Sequence, residues 1–244
     1  MSDSAQSISP ATHTTAGLDQ AFEQLAGAGG WWDAAARIAI ADEKRAARTC
    51  ALCAERKTAL SPYSVYNQEH DSVTTLPAHT VDIIHRITTD PGRLSQRWYE
   101  DAISGGMRPE ELVEITSIIG VVTLADTLSR ALSLPERELP EPVAGEPHRQ
   151  TVPGTRIDRA WVPMVAPESA EGMLKLMYHQ VESAAGFVFN VARALTAVPE
   201  AVRDFFSAFM PNYSTHGEVR AGGLDRTQVE LLASATSDYN DCFY

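Results

Sequence analysis

The feature that most constrains the fold is a concentration of prolines between positions 135 and 167. Seven of the fourteen prolines of the chain lie there. Proline fixes φ at about −65° and lacks an N–H donor, so a regular helix does not persist through such a segment. Apolar residues recur with helical spacing on both sides of it. We therefore expect an extended crossover over residues 135–167 that joins two helical halves, residues 17–134 and 168–244.

Helical spacing of apolar residues dominates both halves. The segment from Trp31 to about Lys57 is rich in alanine and has an apolar stripe opposite its charges, which predicts one helix that ends before Pro62. Pro109 suits the first position of a helix, and the apolar segment that it begins is predicted to be the central helix. Strand-like alternation punctuated by turn residues does not occur in the sequence. The sequence therefore predicts an all-α fold.

The charge balance narrows the classes of partner. The chain has 244 residues, with 20 Lys and Arg against 32 Asp and Glu, and a formal net charge of −12 at pH 7. Neutralisation of phosphates supplies much of the affinity for nucleic acids, and basic clusters supply the attraction to anionic membrane surfaces. We therefore expect no nucleic-acid partner and no membrane partner.

Three further features bear on the compartment. Residues 1–16 have neither the basic start nor the apolar centre of a secretory signal, and they are predicted to form a disordered tail. The longest apolar stretch without charge, residues 115–125, is shorter than the roughly 20 residues that span a bilayer. Three cysteines are too few for a disulfide scaffold. We therefore expect a cytoplasmic protein, in a reducing compartment.

The two halves share an order of features that predicts a duplicated helical unit. Residues 80–102 align with residues 186–209, with a proline and then an aromatic residue at matching places. Residues 105–115 align with residues 222–232, and both segments begin with Gly-Gly. The similarity is weak residue by residue, but the order is preserved, and duplication is the economical explanation.

The last residues of the sequence carry the most informative spacing. Glu230 precedes Cys242 by twelve positions, and Asn240 and Asp241 are good N-cap residues directly before the cysteine. We expect Cys242 in the first turn of a helix, where free N–H groups and the helix dipole favour the thiolate. Because a nearby negative charge raises the pKa of a thiol, Glu230 would serve as a proton relay and not as a thiolate stabiliser.

In these residues the chain resembles the AhpD-like alkylhydroperoxidase family, also called carboxymuconolactone decarboxylase-like. The family motif is Glu, eleven residues, Cys, two residues, Cys, three residues, His. Glu230 and Cys242 match its first half, and Phe243 and Tyr244 occupy the positions between the two cysteines. The resemblance implies that Cys242, Glu230 and Tyr244 are catalytic-site residues. In the family the second cysteine attacks the peroxide and the first resolves it as a disulfide.

The same resemblance implies a fold and an activity. We expect an AhpD-like helical bundle that forms homo-oligomers. We expect an antioxidant oxidoreductase, a thiol-dependent peroxidase or disulfide reductase with a peroxide substrate, a dithiol reductant, no organic cofactor and no metal. The alternative is a non-thiol, carboxymuconolactone decarboxylase-like enzyme or a non-catalytic helical oligomeric protein of the same fold.

The match to the motif is incomplete in both halves. The sequence reaches only Tyr244, before the second Cys and the His, so we expect the chain to be a fragment of a longer protein. In the first half Glu114 occupies the place of the motif Glu, but Asp126 stands twelve positions further on. The first half is therefore predicted to hold a degenerate site without its nucleophile.

Cys50 and Cys53 form a second candidate site, ranked below Cys242. They lie late in the helix predicted up to Lys57, where residues three apart share a face and nearby Arg and Lys residues favour thiolate. Three interpretations stay open. The pair is redox-active, with His70 and Asp71 as proton partners; or both cysteines are buried and inert; or they bind zinc. For zinc no second Cys-x2-Cys exists, and no spacing selects the remaining ligands among His70, Asp71, His79 and His85.

Overall fold

The long apolar helix begun by Pro109 is the element around which the rest of the fold packs. The computed structural model describes residues 12–66, 68–188, 190–212 and 223–239. Its α-helices are α1 (Thr12–Leu25), α2 (Ala34–Ala46), α3 (Ala51–Thr58), α4 (Ala78–Thr89), α5 (Gln96–Ser104), α6 (Pro109–Ala131), α7 (Gly172–Ala185), α8 (Asn190–Arg193), α9 (Pro199–Phe209) and α10 (Arg226–Tyr239). The described residues are predominantly helical, which confirms the predicted all-α class.

Helix α6 begins where the sequence predicts and is buried on several sides. Pro109 is its first residue, and the carboxylate of Glu111 accepts a hydrogen bond of 2.9 Å from the backbone N–H of Arg108. Helices α2, α4 and α9 pack against it, and α9 also packs against α1. A helix that is apolar around most of its circumference is typical of a core helix. The prediction of a central helix is confirmed.

The main core lies between α6 and the helices of the N-terminal half. Ile40 of α2 and Ile83 and Ile84 of α4 are fully or almost fully buried against α6. A second apolar cluster joins α1 to α6 and α9 through Phe22 and Ala208. Helices α2 and α4 are therefore fixed by the largest apolar cluster among the described residues.

By length and composition α6 would also be able to cross a membrane. Its apolar window has a mean hydropathy of 1.6, and 61% of that window is buried inside the fold. Among the described residues no other helix meets this test. Since core helices meet it as well, this helix is weak evidence about membranes, and the expectation of no membrane partner stays a prediction.

The prediction of one continuous helix from Trp31 to Lys57 is wrong, because the helix is interrupted at Cys50. Helix α2 ends at Ala46 and passes into a single 3-10 turn, and Cys50 then takes an extended conformation with φ −66° and ψ 125°. The carboxylate of Asp71 accepts a 3.0 Å hydrogen bond from the N–H of Ala51. A side chain from outside the helix therefore caps a new helix, α3, at a position where the local sequence has no capping residue.

Two other predicted segments have mixed outcomes. Residues 12–16, which were expected in a disordered tail, belong to α1, whose apolar residues pack on α6 and α9. The crossover over residues 135–167 contains no α-helix, as its prolines predict. It does contain a two-residue antiparallel strand pair, β1 (Thr155–Arg156) and β2 (Met164–Val165). The all-α prediction did not anticipate this small pair.

The duplicated unit stays a prediction. Helices α4, α5 and α6 occupy the places of the first proposed copy, and α8, α9 and α10 those of the second. Their lengths differ, since α4 has 12 residues and α8 has four, while α6 has 23 and α10 has 14.

The packing of α4 against α6 predicts a large stability loss on truncation of Ile84, which is fully buried. We expect Ile84→Ala to lower the free energy of unfolding by about 2–5 kcal/mol, because it removes buried apolar contacts and leaves a cavity. Ile157 is 63% exposed, and Ile157→Ala is the matched control, with an expected change within about 0.5 kcal/mol. Urea unfolding of both variants measures the difference, and equal losses would contradict this packing.

A candidate dithiol and histidine site

Two cysteines and two histidines from three parts of the chain meet in one cluster. Cys50 is the N-cap of α3 and Cys53 lies in its first turn, while His85 lies on α4 and His70 in the segment between α3 and α4. Their sulfur atoms and nearest ring nitrogens all lie within 4.8 Å of one another. We call these four residues the Cys2His2 cluster.

The break at Cys50 explains how the two sulfurs come together. Because α3 starts directly after Cys50, the first turn of the helix carries both cysteines at its N-terminus. Both are buried, with 2% of Cys50 and 4% of Cys53 exposed, and both thiols are free. They belong to a small apolar cluster with Leu52 and Val65, separate from the main core. The sulfurs therefore lie in a buried position, at the N-terminus of a helix.

The imidazole rings present their Nδ1 atoms to the sulfurs. Nδ1 of His70 is 3.5 Å from Sγ of Cys50 and 3.6 Å from Sγ of Cys53. Nδ1 of His85 is 3.3 Å from Sγ of Cys53. The two rings are in edge-to-face contact, with centroids 4.3 Å apart. Cys53 therefore contacts both imidazoles.

The far nitrogen of His70 is held by a carboxylate. Its Nε2 lies 2.9 Å from Oδ1 of Asp82, and the same oxygen accepts a hydrogen bond from Arg56. Burial opposes charge on both partners, but the hydrogen bonds from His70 and Arg56 lower the pKa of Asp82 to about 2. Burial likewise lowers the pKa of His70, but Asp82 and the two cysteines outweigh it and raise that pKa to about 10. An imidazolium at His70 next to a thiolate is therefore favoured.

The far nitrogen of His85 is held by a second carboxylate. Nε2 of His85 donates to Oε2 of Glu43 over 3.1 Å, and both side chains are fully buried. Burial is the main cause that lowers the pKa of His85. Burial would raise the pKa of Glu43, but hydrogen bonds from Ser72, Thr74, His85 and Val73 hold it below its ordinary value. His85 is therefore a neutral imidazole with the lone pair of Nδ1 directed at Cys53.

The surroundings of Cys50 favour its thiolate. Burial alone would raise the pKa of this thiol, but the backbone N–H groups of Asp71 and Cys53 and the side chain of His70 hold it below its ordinary value. The contact between Cys50 and His70 acts on both groups, lowering the pKa of the thiol and raising the pKa of the imidazole, in addition to the backbone N–H groups at Cys50 and Asp82 at His70.

This arrangement has two chemical capacities. Each imidazole connects a sulfur to a carboxylate, fully buried at Glu43 and partly exposed at Asp82, and this geometry can take a proton from a thiol and return it. The four donor atoms also lie within 4.8 Å of one another, as the ligands of one metal ion do. The same four residues are therefore suited both to thiol redox chemistry and to metal binding.

The structure brings together only part of the predicted site. Cys50, Cys53 and His70 meet, whereas Cys242 and Tyr244 lie outside the described residues. Glu230 lies on α10, where its partly exposed side chain pairs with Arg226. The prediction that Cys242 and Glu230 form the site is therefore not tested by the described residues.

Sequence reasoning missed Glu43 and Asp82, named His85 among the possible zinc ligands without selecting it, and misread the position of Cys50. Cys50 was expected in the interior of a helix without a helix-start effect, and this was wrong because α3 begins there. Glu43, Asp82 and His85 carry no local signal, since their roles depend on contacts between α2, α3 and α4. His79, which has the same residue type on the same helix, lies outside the cluster, and its Nε2 donates to the carbonyl of Ala102 over 3.0 Å.

Asp126, in the degenerate first-half motif, lies among cations. It is fully buried, with Lys44 and Arg45 each 2.8 Å from its carboxylate and Arg48 at 3.4 Å. These pairs keep the pKa of Asp126 below its ordinary value despite burial. Because the residue is a carboxylate held in a cation cluster, no nucleophilic thiol occurs there.

Glu114 is buried beside α2. Its Oε2 accepts a 2.8 Å hydrogen bond from the backbone N–H of Trp31, and Oε1 lies 3.6 Å from Arg37. Arg37 makes its closer ion pair with Asp204 of α9. Burial raises the pKa of Glu114 to about 7, although Arg37 and Trp31 act in the opposite direction. Glu114 is therefore a buried structural carboxyl group whose pKa is about 7.

Comparisons with known proteins add no relative to this picture. The chain matches no family model, no curated protein and no solved structure.

The raised pKa of Glu114 predicts a pH-dependent stability loss. The group has a pKa of about 7 in the folded chain and 4.5 as its ordinary value. Between these pH values the folded chain holds a proton that the unfolded chain releases, so stability falls as pH rises from 4.5 to 7, by about 3 kcal/mol at most. We expect Glu114→Gln to lack this component, so that it gains stability relative to wild type as pH rises.

Thermal unfolding of both proteins between pH 5 and pH 8 measures the effect. The exposed Glu100 provides the control variant, Glu100→Gln, which we expect to follow the wild-type curve. Parallel curves for wild type and Glu114→Gln would contradict the assignment.

Proposed function

We propose that the chain is a thiol-dependent oxidoreductase that reduces peroxides through Cys50 and Cys53. The observation that carries this proposal is a pair of contact chains, each of which runs from a carboxylate through an imidazole to a sulfur. Asp82 and His70 reach both sulfurs, and Glu43 and His85 reach Cys53. Such groups supply the thiolate and the proton that peroxide reduction requires.

In the first step the Cys50 thiolate attacks one oxygen of the peroxide. The sulfur–oxygen bond forms as the oxygen–oxygen bond breaks, and the leaving alkoxide or hydroxide takes a proton from the His70 imidazolium. Cys50 becomes a sulfenic acid, and the peroxide becomes an alcohol or water. The side chain of Cys50 has the lowered pKa and the hydrogen-bond donors that suit it for the attack.

In the second step Cys53 resolves the sulfenic acid. His85 takes the thiol proton of Cys53, and the sulfur of Cys53 bonds to the sulfur of Cys50 as the sulfur–oxygen bond breaks. The leaving hydroxide takes this proton back from His85 and departs as water. The two sulfurs lie within 4.8 Å, so a small movement suffices for the disulfide. An external dithiol restores the pair by thiol–disulfide exchange and becomes a disulfide itself. The low exposure of both cysteines favours hydrogen peroxide and other small peroxides as substrates.

The resemblance to AhpD-like peroxidases supports the reaction class from a separate part of the chain. It concerns Glu230 and Cys242, whereas the centre proposed here lies in the first half. We also propose an AhpD-like bundle with a duplicated unit, assembled as a homo-oligomer in the cytoplasm, without nucleic-acid or membrane partners. The helical content supports a helical bundle, and the acidic charge supports the absence of nucleic-acid and anionic-membrane partners.

The test is peroxide consumption by metal-free, pre-reduced protein with an excess of a small dithiol. We expect turnover in wild type and its loss, to the uncatalysed rate, in Cys50→Ser. Cys53→Ser should react once and stop at the sulfenic acid, which a dimedone adduct detects by mass spectrometry. Peptide mapping of oxidised wild type should show a disulfide between Cys50 and Cys53.

Cys242→Ser separates the two thiol centres. If turnover disappears in this variant and persists in Cys50→Ser, the reaction belongs to Cys242 and the proposed centre is wrong. If folded wild type consumes no peroxide above the uncatalysed rate, the proposed function is wrong.

A further inference from the structure

We propose that Cys50, Cys53, His70 and His85 bind one zinc ion when both thiols are reduced. The proposal goes beyond the peroxidase function and does not rest on it, although both use the same sulfurs. Two thiolates and two neutral imidazoles are a ligand set that zinc takes in structural sites, and zinc binding would displace the proton that His70 carries in the metal-free chain. The four donor atoms already lie within 4.8 Å of one another.

The distances within the cluster match a tetrahedral site. With zinc–sulfur bonds of about 2.3 Å and zinc–nitrogen bonds of about 2.0–2.1 Å, tetrahedral angles put a sulfur and a nitrogen about 3.5 Å apart. The structure has 3.5 and 3.6 Å from His70 to the two sulfurs, and 3.3 Å from His85 to Cys53. These three sulfur–nitrogen distances therefore fit a tetrahedral site, and the other donor pairs lie within 4.8 Å of one another.

Both imidazoles are oriented as zinc-binding imidazoles are. A ligating histidine ordinarily donates its other N–H to a carboxylate or a carbonyl, which fixes the tautomer and the ring orientation. Here Nε2 of His70 faces Asp82 at 2.9 Å, and Nε2 of His85 faces Glu43 at 3.1 Å. Both Nδ1 atoms are left directed at the sulfurs. Both imidazoles of the cluster therefore have the orientation that zinc-ligating imidazoles have.

The position of the cluster in the fold suits a structural ion. The apolar cluster at the start of α3 is small, with Leu52 and Val65 as its other buried members. Ligands from α3, from α4 and from the segment between them would be fixed by one ion, and Glu43 extends the connection to α2. Because all four ligands are protein side chains, the coordination is closed to substrate.

The thiolates of Cys50 and Cys53 either bind zinc or react with peroxide, so the two processes compete. Oxidation of the zinc-bound pair by a peroxide takes up two protons. It gives the Cys50–Cys53 disulfide, one alcohol or water from the peroxide, one further water, and a free zinc ion. The thiolates lose two electrons and the peroxide gains two. Bound zinc therefore protects the pair, and oxidation releases the ion.

The first experiment is a cobalt titration of reduced, chelator-treated wild-type chain under anaerobic conditions. We expect the visible absorption of tetrahedral Co²⁺ with thiolate-to-metal charge transfer, which saturates at one ion per chain. An equal amount of Zn²⁺ should abolish it. Octahedral cobalt spectra, or no spectrum with a folded chain, would overturn the proposal without any variant.

Variants then assign the ligands. Cys53→Ser and His85→Asn should lose the tetrahedral cobalt spectrum, whereas His79→Asn, the matched histidine control on α4, should keep it. Asp82→Asn and Glu43→Gln should keep the spectrum but bind about 10- to 100-fold more weakly, because each removes a carboxylate that orients a ligand. Far-UV circular dichroism verifies that each variant is folded. An unchanged spectrum in His85→Asn, or a lost one in His79→Asn, would contradict the ligand set.

The two proposals fail in different ways. Peroxide turnover by metal-free protein that binds no cobalt would overturn the zinc site and leave the proposed function standing. Cobalt binding by a chain that consumes no peroxide would overturn the proposed function and support the zinc site.

Discussion

The buried carboxylate of Glu43 is the interaction on which the arrangement of the candidate site depends. A fully buried carboxylate is strongly unfavourable unless hydrogen bonds surround it. The donors are supplied by His85 of α4 and by Ser72, Val73 and Thr74 of the preceding segment. The hydrogen bonds to Glu43 therefore hold the segment between α3 and α4 against α2, and they hold His85 beside Glu43.

The same segment controls the start of α3. Once residues 72–74 are held on Glu43, Asp71 lies where its carboxylate can accept the N–H of Ala51, and His70 lies beside both cysteines. A helix that is capped by a distant residue depends on tertiary contacts for its start, whereas a helix with a capping residue in its own sequence does not. The position of the sulfurs is therefore a consequence of tertiary contacts and not of local helix propensity.

This dependence explains what could be predicted from the sequence and what could not. The beginning of α6 was predictable because Pro109 and Glu111 act within one turn. The irregular crossover was predictable because each proline restricts its own backbone. The break at Cys50 was not, because arginines and alanines around it favour a continuous helix and the residue that caps α3 lies twenty positions away. His85 joins the site through a contact with Cys53, 32 positions apart, that no spacing rule describes.

The remaining interpretation of the cysteine pair, that both are buried and inert, conflicts with their neighbours. An inert buried cysteine packs among apolar groups, as a small hydrophobic residue does. Here two imidazoles contact the sulfurs and a carboxylate lies behind each imidazole, although apolar residues of similar size would stabilise a buried position at least as well. A role for the sulfurs as nucleophiles or as ligands uses the Nδ1 atoms that face them. The polar groups at this place therefore argue for chemistry over packing, and the same buried charges that organise the segment make the thiols useful.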